Sequence, residues 1–233
     1  MTPSVHYNIS HEEYHTGKCA EYISSSMIRR FLKAPALFGQ VVKPTAAMDF
    51  GSAYHSYVLD GDEIPEIYKT AKAQAKAEAQ ITAMAEVIRV HKVARAMIEK
   101  GRHEVTFLWD ESGMPCKCRA DIWIEGLNLC ADLKTTGSAA PEGFRRSCQR
   151  YGYDIQAAWY MRGISKALGL DELPGFVFVA QEKDEPYLVG LYEFSPDAIY
   201  NAMASINEAL AGIEACRESG VWPGYADEVV TIY

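Results

Sequence analysis

The chain has 233 residues, 48% hydrophobic and 23% charged, with a net charge of −8 at pH 7. That length and composition suit a soluble globular chain with one core, and the acidic balance excludes a protein that coats nucleic acid with a wholly basic surface. An enzyme that grips phosphates locally remains open, because bound divalent cations reverse the sign of an acidic site.

The apolar runs fall short of the roughly 20 residues a bilayer span needs. MTPSVHYNISHEEYH has no basic start and no apolar core, so no secretory signal is expected and the cytoplasm is the expected compartment. Cys19, Cys116, Cys118, Cys130, Cys148 and Cys216 follow no disulfide rhythm and read as free thiols. Cys116-x-Cys118 lacks the usual zinc-pair gap, so neither a structural zinc nor an iron–sulfur site is expected.

No repeat or low-complexity linker appears, so residues 1–233 are read as one domain. In chain order, ISSSMIRRFLKAPALFGQVV begins with serines able to cap a helix and stops near Ala34-Pro35. MDFGSAYHSYVLDG reads as a short helix bounded by glycines. Residues 69–100 carry apolar positions at helical spacing, as one long helix or two short ones ended by Gly101. The period then becomes two: HEVTFLW, CKCRADIWIE and LNLCADLKT read as three successive strands. YDIQAAWYMRGISKALG returns to helix, GFVFVAQEK and YLVGLYEF form a strand pair, and SPDAIYNAMASINEALAGIEACRESG is a terminal amphipathic helix. VVTIY is strand-like. This order predicts a mixed α/β fold, a central mixed sheet flanked by helices.

The middle strands hold charges where apolar residues belong. With Gly126-Leu127 as a two-residue type II′ loop, Glu125 faces Asn128 and Asp121 faces Asp132. Directly opposed side chains have Cβ atoms roughly 4.5–5.5 Å apart. Carboxylates that close repel unless a cation lies between them. Lys134 projects from the same face as Asp132. Two acids and an ammonium suit phosphodiester hydrolysis, in which hard oxygens hold Mg²⁺ or Mn²⁺ and a lysine orients water. A bare D-x-K is also common as a solvated pair on an exposed strand. The register of Asp121 favours a site.

These residues resemble the PD-(D/E)xK nuclease signature: RAD then DLK, with alanine in place of proline. DFGSAYHSYVLD resembles the G-x-A-x-H helix of RecB and RecE nucleases, whose histidine position is His55 here. YDIQAAWY resembles the Q-x-x-x-Y helix of that group, giving Gln156 and Tyr160. YHTGKCAEYISSSMIRRFLKAPALF and GVWPGY resemble phage RecE-type exonucleases in particular, and the matches run in order from Tyr14 to Tyr225.

The resemblance implies a metal set of His55, Asp121, Asp132 and the Leu133 carbonyl, with Mg²⁺ resident and Mn²⁺ able to substitute. Lys134 would orient or activate water, and Gln156 and Tyr160 would position the scissile phosphate or brace Lys134. Without it, His55 could be a core histidine, and Tyr160 a half-buried residue of an ordinary amphipathic helix. Glu104 either supports the metal shell through water or is a surface strand residue. Arg29, Arg30 and Lys33 after a helix N-terminus, and Arg145, Arg146 and Arg150 before the Gln156 helix, either hold DNA or form solvated faces. Thr135 and Thr136 either contact phosphate or end the strand.

The implied activity is 5′-to-3′ resection of double-stranded DNA ends, leaving 3′ single strands for a RecT-like annealing protein. The implied assembly is a ring-like homo-oligomer, tetrameric, from a phage or prophage in a bacterial cytoplasm. The alternatives are another nuclease of the superfamily, such as an endonuclease, and a non-catalytic binding module on the same fold.

Overall fold

A computed structural model describes residues 1–231. Six strands form its centre: β1 (Ser4–His6), β2 (Arg102–Glu111), β3 (Met114–Ile124), β4 (Leu129–Thr136), β5 (Gly175–Glu182) and β6 (Val189–Tyr192). They lie side by side in chain order as one sheet. Neighbours are antiparallel except β4 and β5, which are parallel. A parallel pair needs a crossover, and α6 (Pro141–Tyr151) with α7 (Tyr153–Leu168) supplies it.

Helices cover both faces. On one, α2 (Ser25–Lys33), α6, α7 and α8 (Pro196–Ser219) pack through Ile28, Phe144, Trp159 and Ile206. On the other, α3 (Ala46–Leu59), α4 (Ala71–Val90) and α5 (Lys92–Lys100) pack through Tyr54, Ile81, Ile88 and Ala94. The mixed α/β architecture expected from the sequence is what the structure shows. β4 is buried on both sides, Cys130 against the first layer and Ala131 and Leu133 against the second, which is why its apolar run barely alternates. Among the described residues, no helix is long and apolar enough to cross a membrane.

The β3–β4 register matches the expected one, with Trp123 opposite Cys130 and Ile122 opposite Ala131. The turn does not. Glu125–Leu127 form one turn of 3₁₀ helix, and Asn128, at φ 48°, takes the left-handed conformation that asparagine tolerates. Both turns place Glu125 opposite Asn128, so the register survives the change. The ladder ends at Ile122–Ala131, and the strands part before Asp121 and Asp132.

Other boundaries moved. Residues 69–100 form two helices, broken at His91, whose Nδ1 accepts from the Ala94 amide at 3.2 Å and caps α5. Helix α3 starts at a Thr45 cap, with Gly51 inside it. The sequence reading leaves β1, α1 (His11–His15) and α6 without elements. For α6 the signals were present: Pro141 in the first turn and Gly152, at φ 63°, closing it. The strand-like run at 229–233 is irregular at 229–231. Its last two residues lie outside the described residues.

Helix α7 carries two of the predicted site residues and lies tight on the sheet at Gly163. A Cβ there would fall 2.4 Å from Trp109 Cζ3. Gly163→Ala should therefore cost about 1–3 kcal/mol through overpacking, read as a lower midpoint in urea unfolding. An unchanged midpoint would mean that this contact is soft.

Candidate active site

The parting of β3 and β4 makes a fork, and Asp121 fills it. Its Oδ2 accepts a hydrogen bond from the Leu133 amide at 2.8 Å, in place of a backbone acceptor. The same oxygen lies 3.5 Å from His55 Nδ1. His55 is delivered by α3, which is anchored one residue earlier. There the Tyr54 hydroxyl donates to Gln181 of β5, whose Nε2 donates to the Met84 carbonyl of α4 at 2.8 Å.

Burial holds the His55 pKa below its ordinary value. Asp121 opposes that shift, Lys134 adds to it, and a hydrogen bond to the Leu133 carbonyl opposes it. The ring is therefore neutral near pH 7, with a lone pair to offer.

Asp132, 1% exposed, lies across the fork. Its Oδ2 accepts from Gln156 Nε2 at 2.6 Å. Its Oδ1 pairs with the Lys134 ammonium, which is out of line for a hydrogen bond, so this oxygen is buried without an aligned donor. Burial raises the Asp132 pKa, Lys134 opposes the shift and Asp121 adds to it. Burial also works against charge on Lys134, but Asp132 and Asp121 outweigh it and raise that pKa. Tyr160, one helical turn beyond Gln156, packs edge-on to Phe176 with ring centres 5.8 Å apart.

A buried carboxylate oxygen paired with an ammonium alone, a neutral imidazole and a main-chain carbonyl are donors that suit a divalent cation. Asp121, Asp132, His55 and the Leu133 carbonyl are the groups that would hold it. Among the described residues, no three His, Cys, Asp or Glu side chains are already gathered round one point.

Glu104 stands beside the fork. Its φ of 52° interrupts the β2–β3 ladder between His103–Ile122 and Val105–Ala120. Such a backbone costs on the order of 1–3 kcal/mol and persists where the surroundings hold it. Here Arg119 Nη1 grips Glu104 Oε2 at 3.2 Å. Burial and then the charge of Asp121 push the Glu104 pKa up to about 7, with Arg119 opposing.

Two clefts open from this centre. The larger, about 920 Å³, is lined by Arg29, Arg30, Lys117, Lys134, Thr135 and Gln156 among others. The smaller, about 530 Å³, is lined by His55, Asp60, Asp62, Glu104, Arg119 and Asp121 among others. Tyr14, His15 and Tyr160 line both. A cationic cleft thus adjoins an acidic one.

Arg29 donates to the Tyr151 carbonyl at 2.6 Å. Lys117 was not singled out in the sequence. It is 4% exposed and donates to the carbonyls of Tyr14 and Cys19, each at 2.6 Å. Among the described residues neither Arg29 nor Lys117 has a carboxylate partner. A lysine inside the apolar strand CKC was the signal that could have found it.

The structure brings Arg29, Arg30, Thr135 and Thr136 to the larger cleft and leaves the other predicted contacts outside it. Lys33 is exposed on α2. Arg145, Arg146 and Arg150 are exposed on α6; Arg145 is bound to Glu142 at 2.7 Å, and Arg150 lies 5.5 Å from the Tyr151 ring centre. The Thr136 hydroxyl donates to the Ser138 carbonyl at 3.1 Å where β4 ends.

A mixed sheet between two helical layers, forked at an aspartate pair with a lysine two residues on, defines the PD-(D/E)xK fold, whose nucleases generally use divalent metals. The chain belongs to the family described as PDDEXK-like domain of unknown function (DUF3799), whose model matches residues 24–232. A crystal structure of a presumed exonuclease from Eubacterium rectale is similar, with a TM-score of 0.74 at 19% identity, over 97% of this chain and 96% of that one. At that identity the likeness establishes the fold. A second solved structure, at a TM-score of 0.32 and 14% identity over 78% of this chain and 84% of that one, is too distant to carry an argument. No curated protein matches the sequence.

Proposed function

We propose that the protein is a Mg²⁺-dependent exonuclease, with Mn²⁺ able to substitute, that resects double-stranded DNA from 5′ to 3′. The observation that carries this reading is the meeting of an acidic, ligand-bearing cleft with a cationic one, lined by Lys134, at Tyr14, His15 and Tyr160. When bound, a divalent ion would polarise the scissile phosphate and lower the pKa of a coordinated water.

The chain's own groups do the rest. Lys134 orients the attacking water and offsets the charge that develops on phosphorus. Gln156 fixes the Asp132 carboxylate. Tyr160 positions the phosphate between the clefts. Arg29, Arg30 and Lys117 hold the backbone, and with no carboxylate competing for Arg29 or Lys117, an anion in the cleft is their natural partner.

The polarity, the 3′ single-stranded product, a RecT-like annealing partner and a tetrameric ring working in a bacterial cytoplasm rest on the ordered RecE-like motifs. Linear duplex labelled at one 5′ end, then at one 3′ end, is the test, beside covalently closed circles. The 5′ label should leave first as mononucleotide, in Mg²⁺ and not in chelator, and circles should persist. Cutting of circles as fast as linear DNA would overturn the exonuclease reading.

A further inference from the structure

Helix α1 reads HEEYH and places His11 and His15 four residues apart, on one face. Their ring centres are 4.3 Å apart with planes inclined at 42°. Among the described residues neither ring makes a hydrogen bond, and both line the acidic cleft with Asp60, Asp62 and Glu104. We propose that His11 and His15 form a binding site for Zn²⁺ or a similar first-row transition ion, separate from the carboxylate-rich fork.

Imidazole suits such borderline ions; the fork offers one imidazole among harder oxygens that suit Mg²⁺ and Mn²⁺, whereas α1 offers imidazoles alone. Both rings are exposed to solvent; partial desolvation against the cleft wall, with His11, Lys117 and Arg119, lowers the His15 pKa to about 4, and desolvation with Arg119 lowers that of His11. At neutral pH no proton competes for the rings. Lys117 and Arg119 would repel a cation, but Arg119 is paired with Glu104, and Asp60 and Asp62 add negative charge to the same cleft.

The chelate is also pinned in place. Ser10 caps the helix by accepting from the Glu13 amide at 3.1 Å. Arg119 Nη2 donates to the carbonyls of Ile9 and Ser10, and Lys117 to that of Tyr14. H-E-x-x-H is shared with zinc peptidases, where the glutamate acts as base. Here the helix has five residues and Glu12 does not line the cleft that His11 and His15 line, so the pattern is used for its imidazoles alone. Two protein ligands leave two of four tetrahedral positions for water. The helix precedes residues 24–232, which the family model matches.

The test is calorimetric titration of Zn²⁺ into the full chain with millimolar Mg²⁺ present. Asp132→Asn, whose fork has lost a ligand, should still bind one equivalent at α1. His11→Ala and His15→Ala should each weaken binding by at least the roughly 10–100-fold that loss of an outer-shell group costs a metal site. His11→Gln, checked for native circular dichroism, guards against misfolding. Undiminished Zn²⁺ affinity in the histidine variants, or its loss in Asp132→Asn alone, would overturn the proposal. Neither outcome bears on nuclease activity, which is read separately.

Discussion

Lys134→Ala is expected to lower DNA cleavage by about 10²–10⁴-fold, the range a positioned proton-handling group contributes, while duplex binding persists. A second effect follows from the geometry. Lys134 is the partner of Asp132 Oδ1, an oxygen with no aligned hydrogen-bond donor. Removing the ammonium leaves a buried carboxylate without a counter-charge, which costs up to about 3–5 kcal/mol and less where Asp132 takes up a proton. The variant should therefore melt lower than wild type in chelator and recover part of the loss in saturating Mg²⁺, which supplies the missing positive charge. Rates and melting curves with and without Mg²⁺ measure both. A rate within tenfold of wild type would remove Lys134 from the chemistry, and a melting deficit indifferent to Mg²⁺ would remove the ion from the fork.

Lys117→Met should weaken duplex binding and lower the slope of log affinity against log salt by about 1, the signature of one lost phosphate contact. It should also change how stability responds to pH. Burial depresses the Lys117 pKa to about 8 from 10.5, with Cys19 opposing and Arg119 adding. Below pH 8 the amine is charged in both folded and unfolded chains, and the full cost of burying that charge is present. Between about 8 and 10.5 the unfolded chain keeps the proton and the folded one releases it, so stability rises with pH. The rise amounts to up to about 3 kcal/mol. The methionine variant should lack this component, seen as the difference between the two pH profiles in urea unfolding. The pH slope is the readout because, at neutral pH, relief from the buried charge is offset by the Tyr14 and Cys19 carbonyls losing their donor. Parallel profiles would mean that Lys117 stays charged throughout.

Much of this was legible in the sequence because the informative signals were local. Period two marked β2 to β4, and pairing arithmetic put Asp121 and Asp132 in one register whichever turn joined them. The fork was not legible. It depends on the backbone of Glu104 and on the reach of Asp121 to the Leu133 amide, and both are set by tertiary contacts. Arginine runs carry no direction, so Arg145, Arg146 and Arg150 looked equivalent to Arg29 and Arg30 until α6 turned them outward. Lys117 was overlooked for the opposite reason: a single lysine in an apolar strand resembles an edge residue until its burial is seen.

The centre draws on three layers that join late. His55 travels with the helices on one side of the sheet, Gln156 with those on the other, and the aspartates with the strands between. Contacts so far apart along the chain close slowly, and large chains pass through half-docked forms. Neither a nascent polypeptide on the ribosome nor a molecule with one layer peeled away holds the complete constellation.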